Sequence, residues 1–181
     1  MGTQRHGGNP PAVASTIADD GCMATAATPK PRTFQLHPIE TDAADRLRAA
    51  WADSRVYVAD EKPSFPCRQC LRDADVGEEL LLVSYDPFTV DSPYRSASPI
   101  FLHREPCSPP GDLHEIPEQL TIRQLSVRAF DPDALMIDAA IVQGDQLDDT
   151  LVRMFDDDAC DHVHVHNATR GCWAVRVDRS D

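Results

Sequence analysis

Strict alternation between histidine and valine defines the stretch 162–166, and a similar alternation of polar and apolar residues returns at 173–178. Because successive side chains of a β-strand point to opposite faces, this pattern predicts two strands that each keep one face in the core. The residues between them, 167–171, suit a turn, so the two strands should form an antiparallel hairpin. Burial of the apolar residues on a single face selects the opposed pairs His166/Cys172, His164/Ala174 and His162/Arg176. We therefore expect the histidines on the polar face of a sheet whose other face is core.

Similar patterns predict the remaining elements. Strands are expected at 33–37, 79–85, 99–103, 122–130 and 135–142, and helices after Thr41 and after Gly144. Together these elements predict an α+β fold, with a largely antiparallel sheet and two or so helices packed on one face.

Apolar periodicity assigns a buried face to each element. The first helix should bury the residues of one stripe, Ala44, Leu47 and Trp51, and leave Arg48 in solvent. The corresponding stripe of the second helix contains Leu147, Leu151, Met154 and Phe155. In the hairpin formed by the strands before that helix, we expect Arg128 to oppose Asp138. This register places Ile137 and Ile141 on the core face.

Composition divides the chain into two parts and limits the kinds of partner it can bind. Residues 1–32 are rich in Gly, Pro, Ala, Ser and Thr and predict a disordered extension, within which Met23 is an alternative start. Residues 33–181 are expected to form a single α+β domain. The chain carries 30 Asp and Glu against 17 Lys and Arg, which argues against nucleic-acid binding. With no membrane-spanning apolar run and no export signal, we expect a cytoplasmic protein whose six cysteines are reduced.

The first candidate site combines Cys67 and Cys70 with His103 and Cys107. A Cys-x-x-Cys turn aims two thiolates at one point, and His-x-x-x-Cys could supply the other two corners of a tetrahedral zinc site. Two alternatives remain open. The cysteines could be inert buried thiols, or Cys67 and Cys70 could be a redox pair, although no βαβ pattern surrounds them.

The second candidate site contains His164, His166 and Cys172. Alternate residues of a strand share a face about 6.6 Å apart, so the two imidazoles could bind one metal ion. In an alternative interpretation Cys172 is a nucleophile and His166 its base, while Arg128 and Arg176 hold an anionic substrate. The simplest alternative is that the histidines are surface residues or hydrogen-bond to the backbone.

Several motifs, taken in order, resemble a known family. They are Phe65-Pro-Cys-Arg-Gln-Cys-Leu-Arg-Asp-Ala74, Ser92-Pro-Tyr-Arg95, Ser98-Pro-Ile-Phe-Leu-His103, Leu125-Ser-Val-Arg-Ala-Phe-Asp131 and His164-Val-His-Asn-Ala168 with Gly171-Cys172. These segments resemble the bacterial domain of unknown function 1203. The resemblance implies a single cytoplasmic domain and no established activity. It gives weight to Cys67, His103, His164, His166, Asn167 and Cys172.

The leading hypothesis is a small cytoplasmic domain that binds a transition metal, most readily zinc. Its candidate ligands are Cys67, Cys70, His103, Cys107, His164 and His166. The alternatives are a Cys–His enzyme that acts on an anionic small molecule, and a non-catalytic module that binds a small ligand or a protein partner.

Overall fold

The computed structural model describes residues 34–51 and 56–180, and the predicted extension 1–32 lies outside them. The strands are β1 (Phe34–His37), β2 (Val56–Val58), β3 (Glu79–Tyr85), β4 (Ser98–His103), β5 (Gln124–Phe130), β6 (Met136–Gln143), β7 (His162–Asn167) and β8 (Trp173–Arg179). The helices are α1 (Thr41–Ala50), α2 (Glu118–Thr121) and α3 (Leu147–Phe155), and a 3₁₀ turn at Gly144–Gln146 leads into α3. None of the helices in these residues is long and apolar enough to cross a bilayer.

The strands form two antiparallel sheets. The larger sheet has the order β1-β8-β7-β5-β6, and the smaller has the order β2-β3-β4. The α+β prediction is therefore confirmed, although the strands divide between two sheets instead of joining one. The strand predicted at 79–85 has the bounds of β3, and the helix predicted after Thr41 corresponds to α1.

Helix α3 covers one face of the larger sheet. Its predicted apolar stripe is buried in full and packs against valines of β5, β7 and β8. A second core lies between α1 and the smaller sheet and includes Cys67, Ile100 and Trp173. Because this second core surrounds Cys67, the smaller sheet and α1 together position the first candidate site.

Arg48 is a correction to the predicted faces of α1. It is only 8% exposed, and its Nε donates to the carbonyl of His103 at 2.9 Å. Position 48 follows Ala44 by one helical turn and so lies on the same inner stripe. The buried guanidinium is tolerated because it finds hydrogen-bond acceptors there.

The β5–β6 register is one residue away from the prediction. Asp138 opposes Ala129, and Arg128 opposes Ala139. A bulge at Ala129/Phe130 supplies the extra residue, and a one-residue shift moves every side chain of β6 to the other face. The predicted core position of Ile137 and Ile141 is therefore wrong, since both are exposed.

The β7–β8 register is two residues away from the prediction, so the assignment of faces survives. His164 opposes Arg176, and a bulge at Val165/His166 places His166 opposite Trp173. The prediction of a polar outer face is nevertheless wrong. All three histidines of β7 are buried. Phe130 packs on His162 and His164, and Phe88, from the loop between β3 and β4, contacts the ring of His164 at 4.9 Å.

Gly144 allows the close packing of the turn before α3 against α2. A Cβ atom at position 144 would lie 2.0 Å from the carbonyl oxygen of Leu120. We expect Gly144→Ala to lower the free energy of unfolding by about 1–3 kcal/mol, because the backbone of α2 must move. Chemical denaturation measures this change. Gly111→Ala is the control, since the corresponding Cβ meets no atom within 4 Å, and equal effects of the two substitutions would contradict the packing argument.

Candidate metal centre

The turn that carries Cys67 and Cys70 is fixed by backbone contacts on both sides. Cys67 N–H donates to the carbonyl of Arg72 at 3.0 Å, and Leu71 adopts a positive φ of 50° that closes the turn. On the other side, Cys67 forms a parallel bridge with Phe101 of β4, and Arg68 N–H donates to the Phe101 carbonyl at 3.0 Å. This docking brings the turn alongside the end of β4, where His103 lies.

Four predicted ligands meet at this point: Cys67, Cys70, His103 and Cys107. Their ligand atoms all lie within 4.8 Å of one another. The Sγ atoms of Cys67 and Cys107 are 3.8 Å apart, and Sγ of Cys70 is 3.5 Å from Nδ1 of His103. A tetrahedral zinc ion bound to sulfur and nitrogen at its usual bond lengths gives edges of about 3.8 Å and about 3.6 Å for these two pairs. Two of the six distances within the cluster therefore match a four-coordinate metal site, and the cluster could hold a metal ion.

The cluster concentrates negative charge on Cys67. Contacts with the side chains of Cys107 and Cys70 lower the pKa of the Cys67 thiol, and the backbone N–H of Cys70 contributes to this lowering. The contacts with Cys107 and Cys67 in turn raise the pKa of Cys70. Hydrogen bonds with Cys107 and Cys67 raise the pKa of His103 to about 10. A metal ion that binds here must therefore displace protons from the cluster.

A carboxylate orients the histidine from behind. Glu78 Oε2 lies 3.2 Å from Nε2 of His103, which leaves Nδ1 toward the sulfurs. Arg72 holds Glu78 through two hydrogen bonds of 2.8 Å and lowers the pKa of this carboxyl to about 2. Carboxylate–histidine pairs of this kind are typical of metal sites, because the carboxylate fixes the ring and strengthens it as a ligand.

A buried arginine supplies positive charge beside the thiols. One terminal nitrogen of Arg48 lies 3.8 Å from Sγ of Cys107 and also donates to Oε1 of Gln69. The other terminal nitrogen pairs with Asp45 at 2.7 Å. Sequence reasoning missed Arg48, Gln69, Arg72 and Glu78. Of these, Arg48 could have been found from its position on the inner stripe of α1.

His164 and His166 lie outside this cluster. Their ring centroids are 6.3 Å apart, and His164 also contacts the ring of His162 at 5.0 Å. His164 is fully buried, and neither of its ring nitrogens has a hydrogen-bond partner in the described part of the chain. Burial lowers the pKa of His164 to about 2 and that of His166 to about 4. Both side chains are therefore neutral at physiological pH.

The Cys–His pair of the alternative interpretation is not formed. His166 Nδ1 donates to the carbonyl of Gly171 at 3.0 Å, and Cys172 Sγ donates to the carbonyl of Arg170 at 3.8 Å. No hydrogen bond joins His166 to Cys172 within residues 34–51 and 56–180. The loop enclosed by the His166/Trp173 pair is one residue longer than the predicted loop 167–171, so His166 opposes Trp173 instead of Cys172.

The two arginines proposed as anion contacts are engaged within the sheet. Arg176 Nε donates to Asp178 at 2.7 Å, and Arg128 Nε donates to Ser126 Oγ at 3.2 Å. They oppose His164 from the two neighbouring strands. Their positive charge therefore adds to the burial that keeps His164 neutral.

The fold and this site define a small α+β domain with a partly buried cluster of three cysteines and one histidine. The chain belongs to the family described as "Protein of unknown function (DUF1203)", whose model matches residues 64–179. All four residues of the cluster fall within the matched range. Comparison with curated proteins and with solved structures gives no match.

Protonation of His164 should couple folding to pH. Its folded pKa of about 2 lies below the ordinary value of 6.5, so the unfolded chain binds a proton that the native state excludes, and stability is lost as pH falls below 6.5. Linkage at these values amounts to about 2 kcal/mol between pH 7 and pH 5. We expect His164→Leu to remove this part of the loss, as measured by denaturation at both pH values. Ile137→Leu, at an exposed neutral position, should lose the same unfolding free energy between pH 7 and pH 5 as wild type. An equal loss in His164→Leu would contradict the assignment of this pH dependence to His164.

Proposed function

We propose that this domain binds one zinc ion through Cys67, Cys70, His103 and Cys107. The observation that carries the proposal is the agreement of the two short ligand distances, 3.8 Å and 3.5 Å, with the edges of a zinc tetrahedron. A donor set of three thiols and one imidazole favours zinc over the harder cations, which prefer oxygen ligands. Because the protein provides four ligands, the proposed site is closed and structural.

The proposed ion links three segments of the chain. Cys67 and Cys70 come from the turn before β3, His103 ends β4, and Cys107 follows in the next loop. The five cysteines of the described residues are free, so no disulfide fixes these segments there. When bound, zinc supplies four bonds between them, and its binding energy adds directly to the stability of the smaller sheet.

The surroundings of the site support this proposal. Arg48 beside Cys107 offsets the excess negative charge that three thiolates leave on a divalent ion. Glu78 holds the imidazole in the orientation a ligand needs. Reduced thiolates also fit the sequence-based expectation of a cytoplasmic protein, and the net charge of −13 supports the expectation that nucleic acid is not a partner.

Elemental analysis of purified, untagged protein tests the proposal. We expect about one equivalent of zinc, and less than about 0.2 equivalents of any transition metal after growth in metal-replete medium would refute it. Cys107→Ser should lower the zinc content strongly. Cys172→Ser is the matched control, because Cys172 lies outside the cluster, and its zinc content should equal that of wild type.

Glu78→Gln should weaken zinc binding about 10–100-fold, because the amide no longer offers the charged acceptor that orients His103. Competition with a chelator of known affinity measures the change. Glu79→Gln is the control, since the neighbouring Glu79 pairs with Arg104 at the surface. Equal affinities for the two variants would show that Glu78 does not act through the histidine.

A further inference from the structure

A cleft of about 630 Å³ opens beside the metal centre. Its walls come from β2, β3 and β4, from the segment 64–68, and from the start of β5 and the turn between β7 and β8. Three arginines line it, Arg68, Arg123 and Arg170, and no Asp or Glu does. In a chain with a net charge of −13, this is a local concentration of positive charge. The volume lies in the range typical of sites for small molecules.

Arg68 is the buried cation of the cleft. It is 2% exposed, and its Nε donates to the carbonyl of Trp173 at 2.8 Å. A terminal nitrogen donates to the carbonyl of Pro66. No carboxylate in the described part of the chain lies within ion-pair distance of it. Burial lowers the pKa of Arg68 to about 10, the thiols of Cys172 and Cys67 and the carboxylate of Asp73 act in the opposite direction, and the charge of Arg123 adds to the lowering. A guanidinium has more N–H donors than these two carbonyls use, and a buried cation of this kind favours an anionic ligand.

The other two arginines differ in role. Arg123 forms two hydrogen bonds with the buried carboxylate of Asp73, at 2.8 Å and 2.5 Å, so its charge is balanced within the protein. Arg170 lies exposed at the turn between β7 and β8, and the described residues offer it no ion pair or hydrogen bond from its guanidinium. Arg68 and Arg170 therefore carry the charge that is available to a ligand.

An aromatic wall lies within the same cleft. The rings of Tyr57 and Phe65 both pack against Phe101, with centroids 5.5 Å and 5.3 Å away. All three side chains line the cleft. Aromatic surfaces of this kind bind flat apolar groups. The cleft therefore offers a cationic part and an apolar part to one ligand.

We propose that this cleft binds a small organic anion, in which a carboxylate or phosphate group is joined to a flat apolar body. Arg68 and Arg170 hold the oxyanion, and the wall of Tyr57, Phe65 and Phe101 holds the body. This site is separate from the proposed metal site, and the proposal does not depend on which metal ion that site holds.

Calorimetric titration of the full-length, metal-replete protein with three probes tests the proposal. The probes are 1-naphthoate, 1-naphthyl phosphate and the neutral 1-naphthalenemethanol. We expect saturable 1:1 binding of at least one anion, at least about tenfold tighter than the neutral probe, because charge-assisted hydrogen bonds exceed neutral ones by this amount or more. The ratio of the two anion affinities distinguishes a carboxylate ligand from a phosphate ligand. Absence of saturable binding of either anion, or equal affinity for the neutral probe, would overturn the proposal.

Two further measurements locate the binding. Arg170→Glu should weaken binding of the preferred anion about tenfold, since it reverses one charge at the mouth of the cleft. Arg46→Glu, at an exposed position of α1, is the control with the same change in net charge and should alter the affinity less than about twofold. Cys172 also lines the cleft, so the bound anion should slow its alkylation, followed by peptide mass spectrometry.

Equal effects of the two arginine variants, or an unchanged alkylation rate of Cys172 at saturating probe, would show that the cleft is not the site. In that case Arg68 serves only as a counter-charge to the thiols of the metal centre. Zinc content, measured on the same samples, keeps this outcome distinct from a failure of the metal proposal.

Discussion

The docking of the 67–70 turn on β4 is the contact on which both the Cys/His cluster and the neighbouring cleft depend. The contact is a parallel bridge of Cys67 with Phe101, and it includes the hydrogen bond from Arg68 N–H to the Phe101 carbonyl. Because backbone groups make this contact, it sets the position of the turn whatever the neighbouring side chains are. The docking places Cys67 and Cys70 beside the residue that ends β4, His103. It therefore converts a separation of more than thirty residues in sequence into a cluster with ligand atoms within 4.8 Å.

Charge balance explains why polar side chains are buried around this turn. Arg48 and Arg68 would each be costly in an apolar core, since a buried cation needs hydrogen bonds and a compensating charge. Both find backbone carbonyls, and both lie close to cysteine sulfurs. Glu78 on the other side is held by Arg72 and faces His103. Thiolates at the cysteines would balance the positive charges of Arg48 and Arg68. A bound metal ion also requires its cysteine ligands to be thiolates.

Local patterns predicted most elements and the grouping of the first candidate site, but they could not predict what depends on bulges and on distant packing. The spacing Cys67-x-x-Cys70 with His103-x-x-x-Cys107 identified four residues that the structure brings together in a group that could hold a metal ion. Both predicted hairpin registers were wrong. A bulge, which no alternation pattern records, adds one residue in each hairpin, and the β7–β8 loop is one residue longer than predicted. In β7 the two-residue error preserved the faces, whereas in β6 the one-residue error inverted them. The burial of His164 depends on Phe88 and Phe130, which lie far away in sequence, so the histidine run looked like a solvated face.

The side chains of residues 66–68 point alternately to two sides. This alternation explains how one short segment contributes both to the cleft and to the Cys/His cluster. Pro66 and Arg68 line the cleft, whereas Cys67 between them belongs to the cluster of three cysteines and one histidine. This is the geometry of extended chain, in which neighbouring side chains point to opposite sides. The bridge to Phe101 keeps the segment extended here, so the positions of the Cys67 thiol and the Arg68 guanidinium are set by the same backbone. A metal ion bound to Cys67 would therefore also restrict the position of Arg68. In this way the ion would help to shape the cleft without contacting a ligand bound there.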